Sequence, residues 1–155
     1  MAVNIPPEKI KEIAEELDMG MKCFYHIPTG ELESFPDELK GHAGMDDELW
    51  EDTINKIDEK FHEYIRFEGM ESDESFRIME DFADIIEDAK IRLRFEDAIG
   101  NRKPFQNFKH LLLSYPDLRE QWFVYKNQRY IDFVKDQAEA YNHSQQYKEN
   151  NETDD

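Results

Sequence analysis

The sequence predicts a predominantly helical α+β fold, an N-terminal β-hairpin packed on about six helices. Three observations lead there. Apolar residues recur at three- and four-residue spacing through most of the chain, as in Trp50, Ile54, Ile57 and Phe61. One stretch, "KCFYHIPTGELESFP", alternates instead and turns at Pro28-Thr29-Gly30. With 155 residues, 39% of them hydrophobic and 13% aromatic, the chain is long and apolar enough to bury one sizeable core.

The first helix spans 7–18: Pro6-Pro7 suit its entry, Ile10, Ile13 and Leu17 share a face, and Gly20 stops it. In the hairpin, Cys23, Tyr25 and Ile27 alternate with Phe24 and His26, Gly30 takes the left-handed position, and Leu32 and Phe35 lie on the return. A lone hairpin is marginal in water, so it must pack on helices or join another strand. A long helix follows over 46–67. Asp46, Asp47 and Glu48 suit its positive end, and its stripe ends in Tyr64 and Ile65. The next helix, 75–87, carries Ile78, Met79, Phe82, Ile85 and Ile86.

"KIRLRFED" alternates like a strand. Ile91, Phe95, Ala98 and Ile99 fit helical spacing better, and Gly100 is a stop, so the expectation is a helix over 89–99. Pro104 opens a helix over 104–114, with Phe105, Phe108, Leu111 and Leu112 inward. Pro116-Asp117 starts the last one, 117–141. The remainder, "NHSQQYKENNETDD", lacks apolar periodicity and reads as a disordered acidic tail over 142–155, beyond a single domain at 1–141. The expected core is Ile13, Leu17, Trp50, Ile54, Ile57, Phe61, Phe82, Ile86, Phe105, Phe108, Leu112, Trp122 and Phe133.

Charge is placed unevenly. The formal net charge is −18, of which residues 1–100 hold −17, residues 101–141 hold +2 and the tail −3. The bland account is that acidic helices keep the protein soluble; the functional one is that the basic end meets a polyanion or an acidic surface. The single cysteine, Cys23, cannot form an internal disulfide and suits a reducing compartment. Apolar runs such as Leu111-Leu112-Leu113 are too short for a membrane span, and the N-terminus lacks a signal-peptide run. A cytosolic protein is expected.

Motifs for chemistry are incomplete. Glu59 and His62 make one Glu-x-x-His where a di-metal bundle needs two, and Arg66 stands where a zincin's second histidine would be. Cys23 and His26 point to opposite faces of a strand, so they do not ligate together. Glu80, Asp84, Glu87 and Asp88 lie along one helix side, either a solvated face or a cation site. No phosphate loop, nucleophile elbow or dinucleotide fingerprint occurs. No cofactor is implied.

Binding has the better candidate. Basic and aromatic residues interleave over 102–130. On the last helix Trp122, Tyr125, Arg129 and Phe133 take one side, and Phe123, Tyr130, Val134 and Tyr141 another. So many rings under one helix predict a half-exposed aromatic patch. Arg102, Lys103, Lys109, Trp122, Tyr125, Lys126, Arg129 and Tyr130 are the expected binding residues.

The order of features resembles a bacterial family known as uncharacterised protein family 0158. The pieces that carry the likeness are "MEDF" at 79–82, "EDAKIRLRFEDAIGNRKPFQNFK" at 87–109 and "REQWFVYKNQRYIDFVKDQA" at 119–138, with "YHIPTGELESFPDE" similar to the family's Thr-Gly-Glu hairpin. The resemblance implies a bacterial cytosolic α+β domain and a helix at 89–99, and it brings no activity or catalytic residues. Gln106 and Asn107 stand where the family is richer in arginine. The expectation is a non-catalytic protein-interaction or regulatory module. A nucleic-acid binder using 102–130 is the first alternative, and an enzyme or metal protein centred on Glu59, His62 and the Glu80–Asp88 carboxylates the second.

Overall fold

A computed structural model of the protein describes residues 2–37 and 47–152. Six α-helices and three strands follow in the order α1 (Pro7–Asp18), β1 (Met21–His26), β2 (Leu32–Pro36), α2 (Asp47–Glu59), a 3-10 turn (Phe61–Glu63), β3 (Tyr64–Phe67), α3 (Ser72–Asp84), α4 (Ala89–Ile99), α5 (Pro104–Leu112) and α6 (Pro116–Glu152). This is the expected helical α+β class. The expected helix start at Asp46 lies outside the described residues. The chain divides into two compact units, one holding 1–69 and 130–155 and the other 70–129.

Unit one is built on the hairpin. Gly30 adopts φ +75, and the turn closes through Gly30 N–H on His26 O at 2.7 Å and His26 N–H on Glu31 O at 2.8 Å. A third strand, which periodicity did not reveal, completes an antiparallel sheet of order β2-β1-β3. The expected helix 46–67 therefore ends at Glu59 and gives way to β3. Tyr64, Ile65 and Phe67 are residues that favour strands, and the open edge of β1 offers them a ladder that outweighs continued helix.

Register explains the two-sided burial. Cys23 opposes Phe67 and Tyr25 opposes Ile65, and all four bury into one cluster with Ile10, Ile13, Ala14 and Leu17 of α1 and Val134 of α6. On the other sheet face Phe24 and Tyr64 pack with Ile57 of α2, and Phe35 stacks on Phe24 at 5.5 Å. Both faces are covered, so β1 shows a buried run, Cys23-Phe24-Tyr25, beneath its alternation.

Two side-chain amides fasten α6 to extended backbone. Asn142 accepts from Val3 N–H at 2.8 Å and donates to Val3 O at 3.0 Å. Gln137 does the same to Glu68, at 3.0 and 2.9 Å. The helix, expected to end near 141, continues to Glu152. Apolar periodicity reports burial, not helicity: Gln145, Gln146, Lys148 and Glu149 are good helix formers, and extending an existing helix needs no new nucleus.

Unit two is helical throughout. Ile78, Met79, Phe82, Ala83, Ile86, Phe95, Ile99, Phe108, Leu112 and Trp122 form its buried core. Asp88 caps α4, its Oδ1 accepting from Lys90 N at 2.9 Å and Ile91 N at 3.1 Å. Seven expected core residues are buried by this and the first unit's clusters: Ile13, Leu17, Ile57, Phe82, Ile86, Phe108 and Leu112; Trp122 joins them below. Trp50, Ile54 and Phe133 are half-buried. Phe61 and Phe105 are exposed, contrary to expectation. Phe61 falls on the 3-10 turn past the end of the stripe, and Phe105 in the first turn of α5, where its ring lies edge to face with Phe76 at 6.4 Å.

Candidate functional site

The fold spreads the basic-aromatic segment over a loop, α5 and the first part of α6. Gly100 ends α4, and Asn107 of α5 reaches back to organise the loop. Its Nδ2 donates to Ala98 O at 3.0 Å and Arg102 O at 2.8 Å, and its backbone N–H donates to Lys103 O at 3.0 Å. Lys103 sits at φ +61, ψ +57. The following proline disfavours the right-handed helical region, and a side chain in the left-handed one costs roughly 1–2 kcal/mol. Arg102 and Lys103 thus stand exposed on a loop held in a costly conformation by an asparagine. Lys109 is exposed in the last turn of α5, near the negative end of that helix.

The aromatic half of the expected site is largely core. Trp122 is 7% exposed. Its ring lies 4.8 Å from Phe108, 5.3 Å from Phe82 and 6.5 Å from Tyr125, mostly edge-on as ring quadrupoles favour. Trp122 is therefore not available as a contact residue, which corrects its place in the binding set. Tyr125 is half-buried against Phe82 at 5.5 Å. Its hydroxyl accepts from Arg129 Nη1 at 3.3 Å, and Arg129 Nη2 donates to Asp81 Oδ2 at 2.9 Å. Tyr130 is half-buried, packed against the core of unit one.

What faces outward on this part of α6 is a different set. Phe123 is 40% exposed and Val124 72%. The Arg119 guanidinium stands 4.9 Å from the centre of the Phe123 ring and the Lys126 ammonium 5.5 Å from it. Arg119, Phe123 and Lys126 are spaced i, i+4 and i+7, so helical periodicity alone puts them on one face; that signal was present in "REQWFVYK". The expected set included Lys126 and left out Arg119, Phe123 and Val124.

The half-motifs do not assemble. Glu59 ends α2 and His62 lies on the 3-10 turn, both exposed, so Glu-x-x-His is not on a helix face. Of the Glu80, Asp84, Glu87 and Asp88 carboxylates, all exposed, Asp88 is the cap of α4. Among the described residues no three His, Cys, Asp or Glu are grouped to hold a metal ion. Cys23 is buried in the first unit's core; burial, then the nearby Glu16 carboxylate, pushes its thiol up to about 12, leaving a protonated, unreactive sulfur. A cleft in unit one is lined by Ala2, Glu139, Asn142, His143 and Glu149, and its amide Asn142 is already committed to Val3.

One grouping was not foreseen. His26 Nδ1 lies 2.7 Å from Thr29 Oγ1, and His26 Nε2 lies 3.6 Å from a Glu63 carboxylate oxygen, with the Tyr64 ring 4.8 Å from the imidazole. Hydroxyl, imidazole and carboxylate fall in the order of an activated nucleophile. The carboxylate is outside hydrogen-bond reach, however, and Thr29 Oγ1 also accepts from Glu31 N–H at 3.3 Å. The group fastens the hairpin turn. Tyr64 beside it is held above the usual phenol value, first by burial. On the same sheet face Lys56 donates to Glu33 at 2.7 Å, which raises the ammonium pKa.

The chain is similar over residues 39–153 to the family described as an uncharacterised protein family, UPF0158. A UPF0158 protein of Pseudomonas aeruginosa is 35% identical over 66 residues, 43% of this chain and 43% of that protein's length. No solved structure matches. Among the described residues no helix is long and apolar enough to cross a membrane.

Proposed function

This chain belongs to the uncharacterised protein family UPF0158, and from that premise we propose that it is a non-catalytic protein-interaction or regulatory module of the bacterial cytosol. The observation that carries the proposal is the strip on α6: Phe123 exposed between two cations, with Val124 72% exposed beside it, while the neighbouring rings Phe108 and Trp122 are buried. An apolar pair flanked by Arg and Lys, outside a core that is already complete, suits an acidic partner segment with an apolar anchor.

A nucleic-acid role draws support from exposed Arg102, Lys103 and Lys109 on and beside the strained loop. Two features weigh against it. The segment 101–141 carries only +2 beside −17 in residues 1–100. The Phe123 ring, the natural stacking surface, already carries a guanidinium at 4.9 Å and an ammonium at 5.5 Å.

A photo-crosslinking amino acid at Val124 in living cells tests both. The expected products are protein adducts that survive nuclease and disappear with Phe123→Ala or Arg119→Glu. Adducts that vanish with nuclease would move the site to nucleic acid, and the absence of any adduct would end the proposal. Salt-titrated binding to single- and double-stranded nucleic acid closes the alternative, because phosphate contacts strengthen at low ionic strength.

A further inference from the structure

Phe61 is 58% exposed and takes no part in the buried clusters. It stands on the 3-10 turn directly after α2, preceded by exposed Asp58 and Glu59, at the end where the helix presents its negative pole. Lys60 is a cation beside it, whereas Lys56 is committed to Glu33 at 2.7 Å. Phe123 is its electrostatic opposite: an exposed ring flanked by Arg119 at 4.9 Å and Lys126 at 5.5 Å. One chain therefore carries an exposed phenylalanine just past an acidic helix end, with the His62 ring 6.0 Å away, and another set between two cations.

We infer that the partner of the α6 strip is a second copy of this chain, with the Phe61 turn of one copy seated on Arg119, Phe123 and Lys126 of the other. The inference rests on reading the α6 strip as a contact surface. With −18 on each copy, most encounters repel. The juxtaposition that sets the acidic turn on the cationic strip is attractive, so the same charge that opposes association in general selects this contact. The two rings supply apolar anchors at its centre, and Asp58 and Glu59 meet the cations at its rim. Two aromatic anchors with a charged rim make a small interface of the weak class. The two patches differ, so the contact either closes a reciprocal two-fold pair or runs on from copy to copy; both raise the mass above the 18.6 kDa of one chain.

Sedimentation velocity on the full-length chain tests this. At roughly tens of micromolar, where weak interfaces of this kind are populated, the weight-average mass is expected to rise with concentration. Arg119→Glu with Lys126→Glu in one variant, and Asp58→Lys with Glu59→Lys in another, are each expected to sediment as monomers. An equimolar mixture of the two restores association, at least about tenfold tighter than either alone, because each acidic patch again meets a basic one. Recovery in the mixture also shows that both variants fold. A wild type that stays monomeric throughout, or a mixture that does not associate although both variants melt like the wild type, would overturn the inference. If the wild type is monomeric while Val124 crosslinks to another protein, self-pairing fails and the interaction surface stands. If neither occurs, both fail.

Discussion

The two units solve packing differently. Unit one puts aliphatic side chains and a few rings on both faces of a three-stranded sheet, then ties α6 to extended backbone through the amides of Asn142 and Gln137. Unit two has no sheet among its residues and fills its core with rings: Phe82, Phe95, Phe108 and Trp122 meet at centroid distances of 4.8 to 6.2 Å. Aromatic richness in the segment 101–130 is thus mainly how a small helical unit closes its core. The candidates for recognition are the few groups this packing leaves outside, on α6 and on the loop before α5.

Removing the centre of the ring cluster makes the sharpest test of that contrast. Phe108 is buried and contacts Phe82, Phe95 and Trp122. Phe108→Ala is expected to destabilise unit two by about 3–5 kcal/mol, whereas Val134→Ala in unit one, a smaller deletion, costs about 1–3 kcal/mol. Denaturant titration in a Trp50→Phe background reads unit two through Trp122, and in a Trp122→Phe background reads unit one through Trp50. Equal losses on both probes for Phe108→Ala would erase the distinction between the two cores.

Alkaline pH divides the units by a different property. The Cys23 thiol is raised from 9.0 to about 12 by burial, so the folded state keeps a proton that the unfolded state releases above pH 9. Stability of unit one is therefore complete below pH 9 and falls progressively as pH rises from 9 toward 12. Tyr64, also raised by burial, adds to the same trend above its ordinary value. Comparing Cys23→Ala with the wild type isolates the thiol: its loss of stability between pH 9 and 11 is shallower, while the Trp122 signal of unit two is indifferent to the change. An unchanged slope in Cys23→Ala would remove the thiol as its source.

Legibility in the sequence follows the same division. Pro7, Gly20, Pro104, Pro116 and the helical spacing through Phe95 and Ile99 mark local events, and α1, α4 and the hairpin come out where those residues put them. β3 was hidden because Phe61, Tyr64 and Ile65 satisfy helical spacing as well; only pairing with β1, a long-range event, decides between the two. At the candidate site, basic and aromatic composition singles out the segment 102–130, but which of its rings face outward depends on the neighbours of α6. Trp122 meets Phe82 and Phe108 across unit two, and no spacing rule names those partners. Asn107, which composition presents as a missing arginine, instead ties down the loop bearing Arg102 and Lys103.

The amide ties of unit one should be worth less than either core. Gln137 makes two hydrogen bonds to the backbone of Glu68, both near solvent. Gln137→Ala lets water replace them, so a loss of about 1 kcal/mol is expected, with faster amide exchange at Glu68 and little change at Trp122. A loss of several kcal/mol would mean that the clamp, rather than the sheet core, holds this part of α6 in place.

The smallest effect concerns Arg129, because sequence reading gave it to a partner and the fold gives it to Asp81. Its guanidinium donates to Asp81 at 2.9 Å and to the Tyr125 hydroxyl at 3.3 Å, and both members of the ion pair are more than a third exposed. Exposed pairs of this kind contribute about 0–1 kcal/mol, so a double-mutant cycle of Arg129→Met and Asp81→Asn should return a coupling below about 1 kcal/mol in unit two, smaller still at high salt. The same variants separate the two roles. If Arg129 is a structural partner only, Arg129→Met leaves the Val124 crosslinks intact and Asp81→Asn changes only stability. If instead the guanidinium serves a partner, Arg129→Met removes the crosslinks at unchanged stability, and Asp81→Asn, by releasing the cation, strengthens them. Only the second outcome moves the crosslink yield, so a pair worth almost nothing to folding still decides how far the proposed recognition surface extends along α6.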